Sequence, residues 1–161
     1  IKPTDPILRV NIADQRLDLL RQGTVAQTWI ISTGRKPPSC LEGSNGTPTG
    51  LHDIASRIGD GAPPGMVFKG RRPTGYPYSE APPEDHRKRL VTTRILRLRG
   101  LEPGHNAGPG RDSFDRYIYI HGTNHEDRLG HPDTAGCIAL SNEEVIDLFD
   151  AVPEGALVWI S

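Results

Sequence analysis

A thiol and an imidazole near the carboxyl end of the chain are the residues best suited to covalent chemistry. His121 follows the β-like run 117–120, and Cys137 precedes the apolar run 138–140, sixteen positions later. A cysteine attacks carbonyl groups well only as the thiolate, so it needs a base or a cationic neighbour. Histidine is a natural base because its unperturbed pKa lies near neutrality. The pattern therefore predicts a Cys/His acyl-transfer site held at two strand ends.

Gly136, directly before the cysteine, strengthens this interpretation. Glycine tolerates backbone angles that other residues avoid, and it lets a substrate approach closely. Backbone N–H groups at such a position can point at a developing oxyanion. Each such donor contributes about 3–4 kcal/mol in acyl-transfer enzymes.

Both residues could also have purely structural roles, and the residue pattern leaves this alternative open. Cys137 could be a small buried hydrophobic residue, and His121 could only bond a neighbouring loop. The chain has two cysteines, so a disulfide between Cys40 and Cys137 is possible. Their settings differ, however, because Cys40 lies in a loop rich in Pro, Ser and Gly.

A metal site is a further alternative, because the stretch after residue 120 is dense in possible ligands. These are His121, His125, His131 and Cys137, with Glu126, Asp127 and Asp133 nearby. Zinc accepts such groups, but their spacing matches no standard zinc pattern and no C-x-x-C is present. We therefore expect no metal and no other cofactor. The remaining histidines lie in loop-like stretches and are expected to be solvated; they are His52, His86 and His105.

Alternating apolar and polar residues predict most of the strands that would carry this site. Segments 7–12, 16–21 and 25–32 are typical of an antiparallel meander, and 90–98 and 156–160 predict two later strands. A meander needs a second layer to cover it. The chain has 18 glycines and 15 prolines, which indicates many turns, as in a mainly β protein.

One helix and one long loop complete the prediction. Ser141 and Glu144 form a capping box, apolar residues follow at helical spacing, and Pro153 ends the helix. Segment 59–84 is interrupted by prolines and glycines, so we expect a long irregular insertion. Loops of that length are usually functional or mobile.

Length and charge limit the possible functions. The 161 residues fit a single domain, 1–161, and the net charge of −1 gives no reason to expect nucleic acid or an anionic membrane as partner. No apolar run approaches the ~20 residues of a membrane span. The basic segment 87–89, with Arg94, Arg97 and Arg99, is explained as a solvated face or as a surface that steers an acidic substrate.

Taken together, these motifs resemble a known family. The residues IHGT at 120–123, T-x-G-C-I-x-L at 134–140 and the capped helix look like the L,D-transpeptidase catalytic domain, also called YkuD. The resemblance extends from about residue 7 to residue 160. Further matching segments are QRLDLL at 15–20, STG at 32–34, TPTG at 47–50 and ALVWI at 156–160.

The resemblance implies a β-sandwich of mixed sheets with a few short helices. It also implies that Cys137 is the nucleophile and His121 its base. Gly122 would orient the histidine through the backbone, and the backbone amides around Gly136 and Cys137 would form the oxyanion hole. We expect the substrate to contact Thr123, Thr134 and Tyr119.

Family members act on bacterial peptidoglycan stem peptides, so the resemblance also implies a substrate. The thiolate attacks the carbonyl of the third stem residue and expels the terminal D-alanine, and an amine then accepts the acyl group to give a 3→3 cross-link. Carbapenems acylate the cysteine in many members. The expected location is the bacterial cell envelope, periplasmic or otherwise extracytoplasmic.

Two positions depart from the family pattern. Family members commonly have His before Gly-Cys and Arg or Asn two positions after the cysteine, whereas this chain has Ala135 and Ala139. Neither change affects Cys137 or His121, so an active enzyme is still expected. The balance between transfer and hydrolysis by water stays open, as does the alternative of an inactive peptidoglycan-binding module.

Overall fold

Strands dominate the structure, a computed structural model that describes residues 2–161. Its one α-helix, α1, spans Asn142–Ala151, and short 3-10 helices span Tyr78–Glu80, Pro83–Asp85 and Glu126–Arg128. The strands are β1 (Ile7–Asn11), β2 (Arg16–Arg21), β3 (Thr24–Ile30), β4 (Gly50–Ile58), β5 (Met66–Lys69), β6 (Arg72–Pro77), β7 (Val91–Gly100), β8 (Tyr119–Gly122), β9 (Ile138–Leu140) and β10 (Leu157–Ile160).

The strands pair in one mixed network. Strands β1, β2 and β3 form the expected antiparallel meander, and β1 also pairs in parallel with β10. The network continues through β4 and β7, and β7 then pairs with both β5 and β8. Strand β9 lies parallel to β8. The prediction of a mainly β, mixed architecture with few helices is confirmed.

The meander β1–β3, the strands β7–β9 and α1 share one core. Ser32 and Gly34, just after β3, bridge Ala139 and Thr134, so the meander lies beside the β9 end of the network. All three supply the most deeply buried side chains. These include Leu8, Leu17, Leu96, Ile120, Ile138 and Phe149. Burying each one stabilises the fold by about 1.5–3 kcal/mol.

Helix α1 begins as the capping box predicts. The Ser141 hydroxyl accepts from the Glu144 N–H at 3.2 Å and donates to the Glu144 carboxylate at 2.9 Å. The helix buries Val145, Leu148 and Phe149 against the strands, and it ends two residues before Pro153. The cap matters for the site because α1 starts directly after β9.

Segment 59–84 is more regular than its prolines indicate. It contains the β5–β6 hairpin, which turns at Gly70 and Arg71, both with positive φ. Val67 and Phe68 are buried, which anchors the hairpin on β7. Strand β6 is an edge strand, so its prolines need not donate to a further strand. The prediction of an irregular insertion is therefore wrong for this hairpin.

His52 is buried in β4 rather than solvated. Its Nε2 bonds the Ser113 hydroxyl at 2.8 Å, and its Nδ1 bonds the Gly50 carbonyl oxygen at 3.1 Å. Burial is the main reason why the pKa of His52 is lowered to about 4. The neutral ring therefore ties the long segment between β7 and β8 to β4.

This histidine should make the stability of the protein depend on pH. The unfolded chain, with an ordinary histidine pKa near 6.5, binds a proton that the folded state excludes. Stability from His52 is therefore complete above about pH 6.5 and is lost as pH falls toward 4. We expect the free energy of unfolding, measured in urea, to fall by about 3 kcal/mol over this range. A His52→Gln variant should show a flatter profile, and equal slopes for the two proteins would contradict the assignment.

Candidate active site

The parallel pairing of β8 with β9 places the two chemically competent residues. His121 lies opposite Ala139 in the register, and Cys137 immediately precedes β9, level with Tyr119. Residues paired in register project from the same face, so Cys137 and His121 share a face. Strand spacing and rise put their Cα atoms roughly 8 Å apart.

Both side chains line one cleft of about 170 Å³ on that face. Thr123 and Thr134 also line it, whereas the side chain of Tyr119 does not. The full lining is Ser32, Arg89, Val91, His121, Thr123, His125, Arg128, Asp133, Thr134, Ala135, Cys137 and Ala139. The Tyr119 ring packs with Phe68 and Ile95, and its hydroxyl accepts from Arg71 at 3.1 Å.

The backbone carbonyl of Gly122 orients the imidazole. Because Nδ1 of His121 bonds this oxygen, Nδ1 must carry the proton, which leaves the lone pair on Nε2. Burial lowers the pKa of His121, and the bond to Gly122 only partly opposes this. The ring is therefore neutral near pH 7. Within residues 2–161, Nε2 makes no hydrogen bond, so it is available to accept a proton.

The thiol of Cys137 is protonated in the free protein. Its half-buried Sγ donates to the Tyr117 carbonyl oxygen and accepts from the Tyr119 N–H, both at 3.4 Å. Burial raises the pKa of Cys137 to about 11, although the Tyr119 N–H and the charge of Arg116 act in the opposite direction. Sγ and the His121 ring share no hydrogen bond in the described chain. Both cysteines are free, so the Cys40–Cys137 disulfide is absent.

Two threonine hydroxyls hold the turn that presents the cysteine. Thr134 Oγ1 accepts from the Gly136 N–H at 3.1 Å and donates to the Cys137 carbonyl oxygen at 2.6 Å. Thr47 Oγ1 donates to the Gly136 carbonyl oxygen at 3.0 Å. Gly136 has φ +122°, and a Cβ there would lie 3.0 Å from the Gly46 carbonyl oxygen. The turn therefore needs glycine.

The hydrogen bonds of this turn decide which backbone N–H group could donate to an oxyanion. The Gly136 N–H is already bonded to Thr134, so it is not free in this state. The Cys137 N–H makes no hydrogen bond within residues 2–161. Of the two amides expected to form an oxyanion hole, that of Cys137 is the available donor.

A bulge in β7 lies directly opposite the histidine. The register shifts between Thr92, paired with Gly122, and Ile95, paired with His121. Thr93, inside the bulge, has φ +72°, which is rare for a β-branched residue. Such strain persists only where surrounding contacts enforce it, and it is common at functional sites.

Asn142 provides those contacts, and the sequence pattern did not identify it. Its Oδ1 accepts from the hydroxyls of Thr92 and Thr93, and its Nδ2 donates to the Thr123 carbonyl oxygen at 2.9 Å. The first residue of α1 therefore braces the ends of β7 and β8. From the sequence alone, Asn142 is only a residue in the first turn of a capped helix.

Arg116 is a second residue that the sequence analysis missed. It is partly buried, and its guanidinium donates to the carbonyl oxygens of Ser39 and Gly46 at 3.1 and 2.8 Å and to the Ser44 hydroxyl. It thus fixes the loop that packs against Gly136. No local sequence signal marks this role, because its partners lie about seventy residues earlier.

The metal-site alternative receives no support from the geometry of residues 2–161. No group of three or more His, Cys, Asp or Glu side chains among residues 2–161 is placed to hold a metal ion. The same residues include no helix with the length and hydropathy needed to cross a bilayer. Ala135 and Ala139, the two departures from the family pattern, both line the cleft.

Comparison with known proteins identifies the family. The family model described as the L,D-transpeptidase catalytic domain, YkuD, matches residues 5–160. "Putative L,D-transpeptidase YqjB" of Bacillus subtilis (strain 168) is 46% identical over 74 residues, which cover 42% of this chain and 42% of that protein.

Solved structures show the same fold at low sequence identity. An L,D-transpeptidase from Mycobacterium smegmatis is 17% identical with a TM-score of 0.60, covering 98% of this chain and 58% of that one. LdtMt1, solved in complex with imipenem, is 19% identical with a TM-score of 0.57, covering 97% and 58%. The chain thus spans little more than half the length of these proteins. The match over residues 5–160 shows that the chain belongs to the L,D-transpeptidase catalytic domain (YkuD) family.

Proposed function

We propose that this protein is a peptidoglycan L,D-transpeptidase that works by cysteine acyl transfer, with Cys137 as nucleophile and His121 as base. The observation that carries the proposal is the placement of both side chains on one face of the β8–β9 pair, in one cleft. Membership of the family supplies the substrate class, a D-alanine-terminated tetrapeptide stem.

The first half-reaction starts from a neutral pair. Because the pKa of the thiol is raised and that of the imidazole is lowered, the ion pair is disfavoured in the free protein. Nε2 of His121 therefore takes the thiol proton as Sγ attacks the carbonyl of the third stem residue. Hydrogen bonds of this kind often form only when substrate is bound.

Collapse of the tetrahedral intermediate then releases the terminal residue. The C–N bond breaks, the leaving amine takes the proton from the imidazolium, and a thioester remains on Cys137. The Cys137 N–H is the donor available to the oxyanion, a contribution of about 3–4 kcal/mol. In the second half-reaction an amine from another stem attacks the thioester, which gives a 3→3 cross-link and restores the thiol.

Hydrolysis of the same thioester is the second candidate function. Ala135 and Ala139 both line the cleft, and their short side chains leave room for water beside Cys137. Water in place of the amine would yield a tripeptide, so the protein would act as an L,D-carboxypeptidase. Both reactions use the same first step and place the protein at peptidoglycan, outside the cytoplasm.

A β-lactam should trap the nucleophile. LdtMt1, a structural neighbour, was solved in complex with imipenem, which supports acylation of Cys137 by carbapenems. We expect intact-mass spectrometry to show one imipenem adduct on the wild-type protein and none on Cys137→Ala. Cys40→Ala is the matched control and should retain the adduct, since Cys40 is buried away from the cleft. A Cys137→Ala protein that still gains the imipenem adduct and remains fully active would refute the proposal.

The protonation state of the thiol predicts how alkylation depends on pH. With a pKa of about 11, the thiolate fraction of Cys137 rises about tenfold for each pH unit below that value. The iodoacetamide rate constant of the Cys40→Ala protein should therefore rise about 100-fold from pH 7 to 9 without reaching a plateau. A plateau near pH 8 would mean that the free protein holds a preformed thiolate. Slow labelling at pH 7 does not separate an active enzyme from an inactive binding module, whereas acylation by a donor does.

Product analysis separates transfer from hydrolysis. We expect purified tetrapeptide muropeptides to give 3→3-linked dimers whose share rises with acceptor concentration. Tripeptide monomers as the main product, even at high acceptor concentration, would favour the carboxypeptidase. A protein that binds the muropeptides but releases no D-alanine would be an inactive binding module. His121→Gln should abolish D-alanine release, because Gln cannot act as a base.

A further inference from the structure

The cleft that contains Cys137 is also lined by two arginines with no assigned role. Arg89 precedes β7, and Arg128 ends the 3-10 helix after β8. Both bind the carboxylate of Asp133, Arg89 through two nitrogens at 3.3 and 3.4 Å and Arg128 through Nε at 3.3 Å. The three side chains form one cluster at the wall of the cleft.

This cluster carries excess positive charge and unused donors. One carboxylate faces two guanidinium groups, and Arg87 lines the depression that adjoins the cluster. Within residues 2–161, Nη1 of Arg89 and both terminal nitrogens of Arg128 make no hydrogen bond. The arginine side chains are 37% and 52% exposed, whereas that of Asp133 is 12% exposed. The free donors are therefore accessible to an anion, while Asp133 holds the guanidinium groups in place.

Hydrogen bonds from side chains to the backbone fix the cluster relative to the thiol. Asn124 accepts from the Leu90 N–H and donates to the Lys88 carbonyl oxygen, both at 2.9 Å, which holds the chain on both sides of Arg89. The carbonyl oxygen of Arg128 accepts from the Ser32 hydroxyl at 3.0 Å. Asp133 is adjacent to Thr134, whose hydroxyl bonds the turn at Cys137. The positive cluster and the nucleophile are thus parts of one braced unit.

We propose that Arg89 and Arg128 form the carboxylate-binding subsite of this cleft and select acyl donors with a free carboxylate beside the scissile bond. Guanidinium groups match carboxylates geometrically and bind them through paired, charge-assisted hydrogen bonds. This inference rests on the proposed function for the identity of the donor. The residue expelled from a D-alanine-terminated stem carries such a carboxylate, and a side-chain carboxylate on the third residue is the other source.

Binding to the inactive Cys137→Ala protein tests the subsite without requiring turnover. Calorimetry with a synthetic tetrapeptide is compared with its C-terminal amide and with a peptide lacking the third-residue side-chain carboxylate. Hydrogen bonds to charged groups are stronger than those between neutral groups, so removing the recognised carboxylate should weaken binding at least about tenfold. Weaker binding of the amide identifies the terminal carboxylate, and weaker binding of the other peptide identifies the side-chain one.

Variants then assign the effect to the arginines. In the same background, Arg89→Gln and Arg128→Gln should each lose about tenfold for the preferred peptide but bind the carboxylate-deficient peptide as before. Arg89→Lys should recover part of the loss, because it keeps the charge but not the guanidinium geometry. Arg21→Gln, which removes one exposed positive charge on β2, is the matched control and should change nothing.

Two results would overturn the inference. If the Cys137→Ala protein, with both arginines intact, bound all three peptides with equal affinity, no carboxylate would be selected. Absence of detectable binding by any of the peptides would lead to the same conclusion. Equal losses for every peptide in Arg89→Gln would show that the arginine only supports the turn through Asp133. Failure of the proposed function gives a different result: no imipenem adduct and no D-alanine release by the wild-type protein, with the carboxylate preference in binding intact.

Discussion

The parallel pairing of β8 with β9 is the constraint on which the other features depend. It places Cys137 and His121 on one face, and the alternation of side chains turns Ile120 and Ile138 to the opposite face, into the main core. A slip of one residue would turn Ile120 and Ile138 toward the cleft and turn the Cys137–His121 pair into the main core. Core packing therefore favours one register of β8 and β9, and that register fixes the position of the thiol.

The electrostatic state of the site follows from this burial. The strands that shield Cys137 and His121 from water disfavour both charged forms, which raises one pKa and lowers the other. A thiolate–imidazolium pair in the free protein would require the site to stabilise two charges on groups that are largely shielded from water. In the proposed mechanism the charge would arise only as the substrate carbonyl is attacked, when the Cys137 N–H could stabilise it. The bond from Nδ1 to Gly122 prepares the correct tautomer in advance.

Local sequence patterns predicted the parts of the protein that depend on local physics. The meander, the Ser141 cap and the strand-end positions of His121 and Cys137 all follow from periodicity and capping chemistry. The β5–β6 hairpin was missed because prolines, which usually interrupt strands, are tolerated at an edge. The contacts made by Thr47, Asn142 and Arg116 were missed because their partners lie far away in sequence. No local pattern records that Asn142 supports a strained Thr93 forty-nine residues earlier.

The arginines at the cleft wall add positive charge beside the buried pair. A donor carboxylate near Cys137 would by itself raise the thiol pKa further and oppose the developing oxyanion, because like charges repel. Arg89 and Arg128, only partly neutralised by Asp133, would offset that repulsion where the carboxylate binds. Substrates without the carboxylate would leave this positive charge uncompensated and gain less on binding. In the proposed mechanism these cations would attract the anionic donor to the cleft while the thiol stays protonated until the donor is in place.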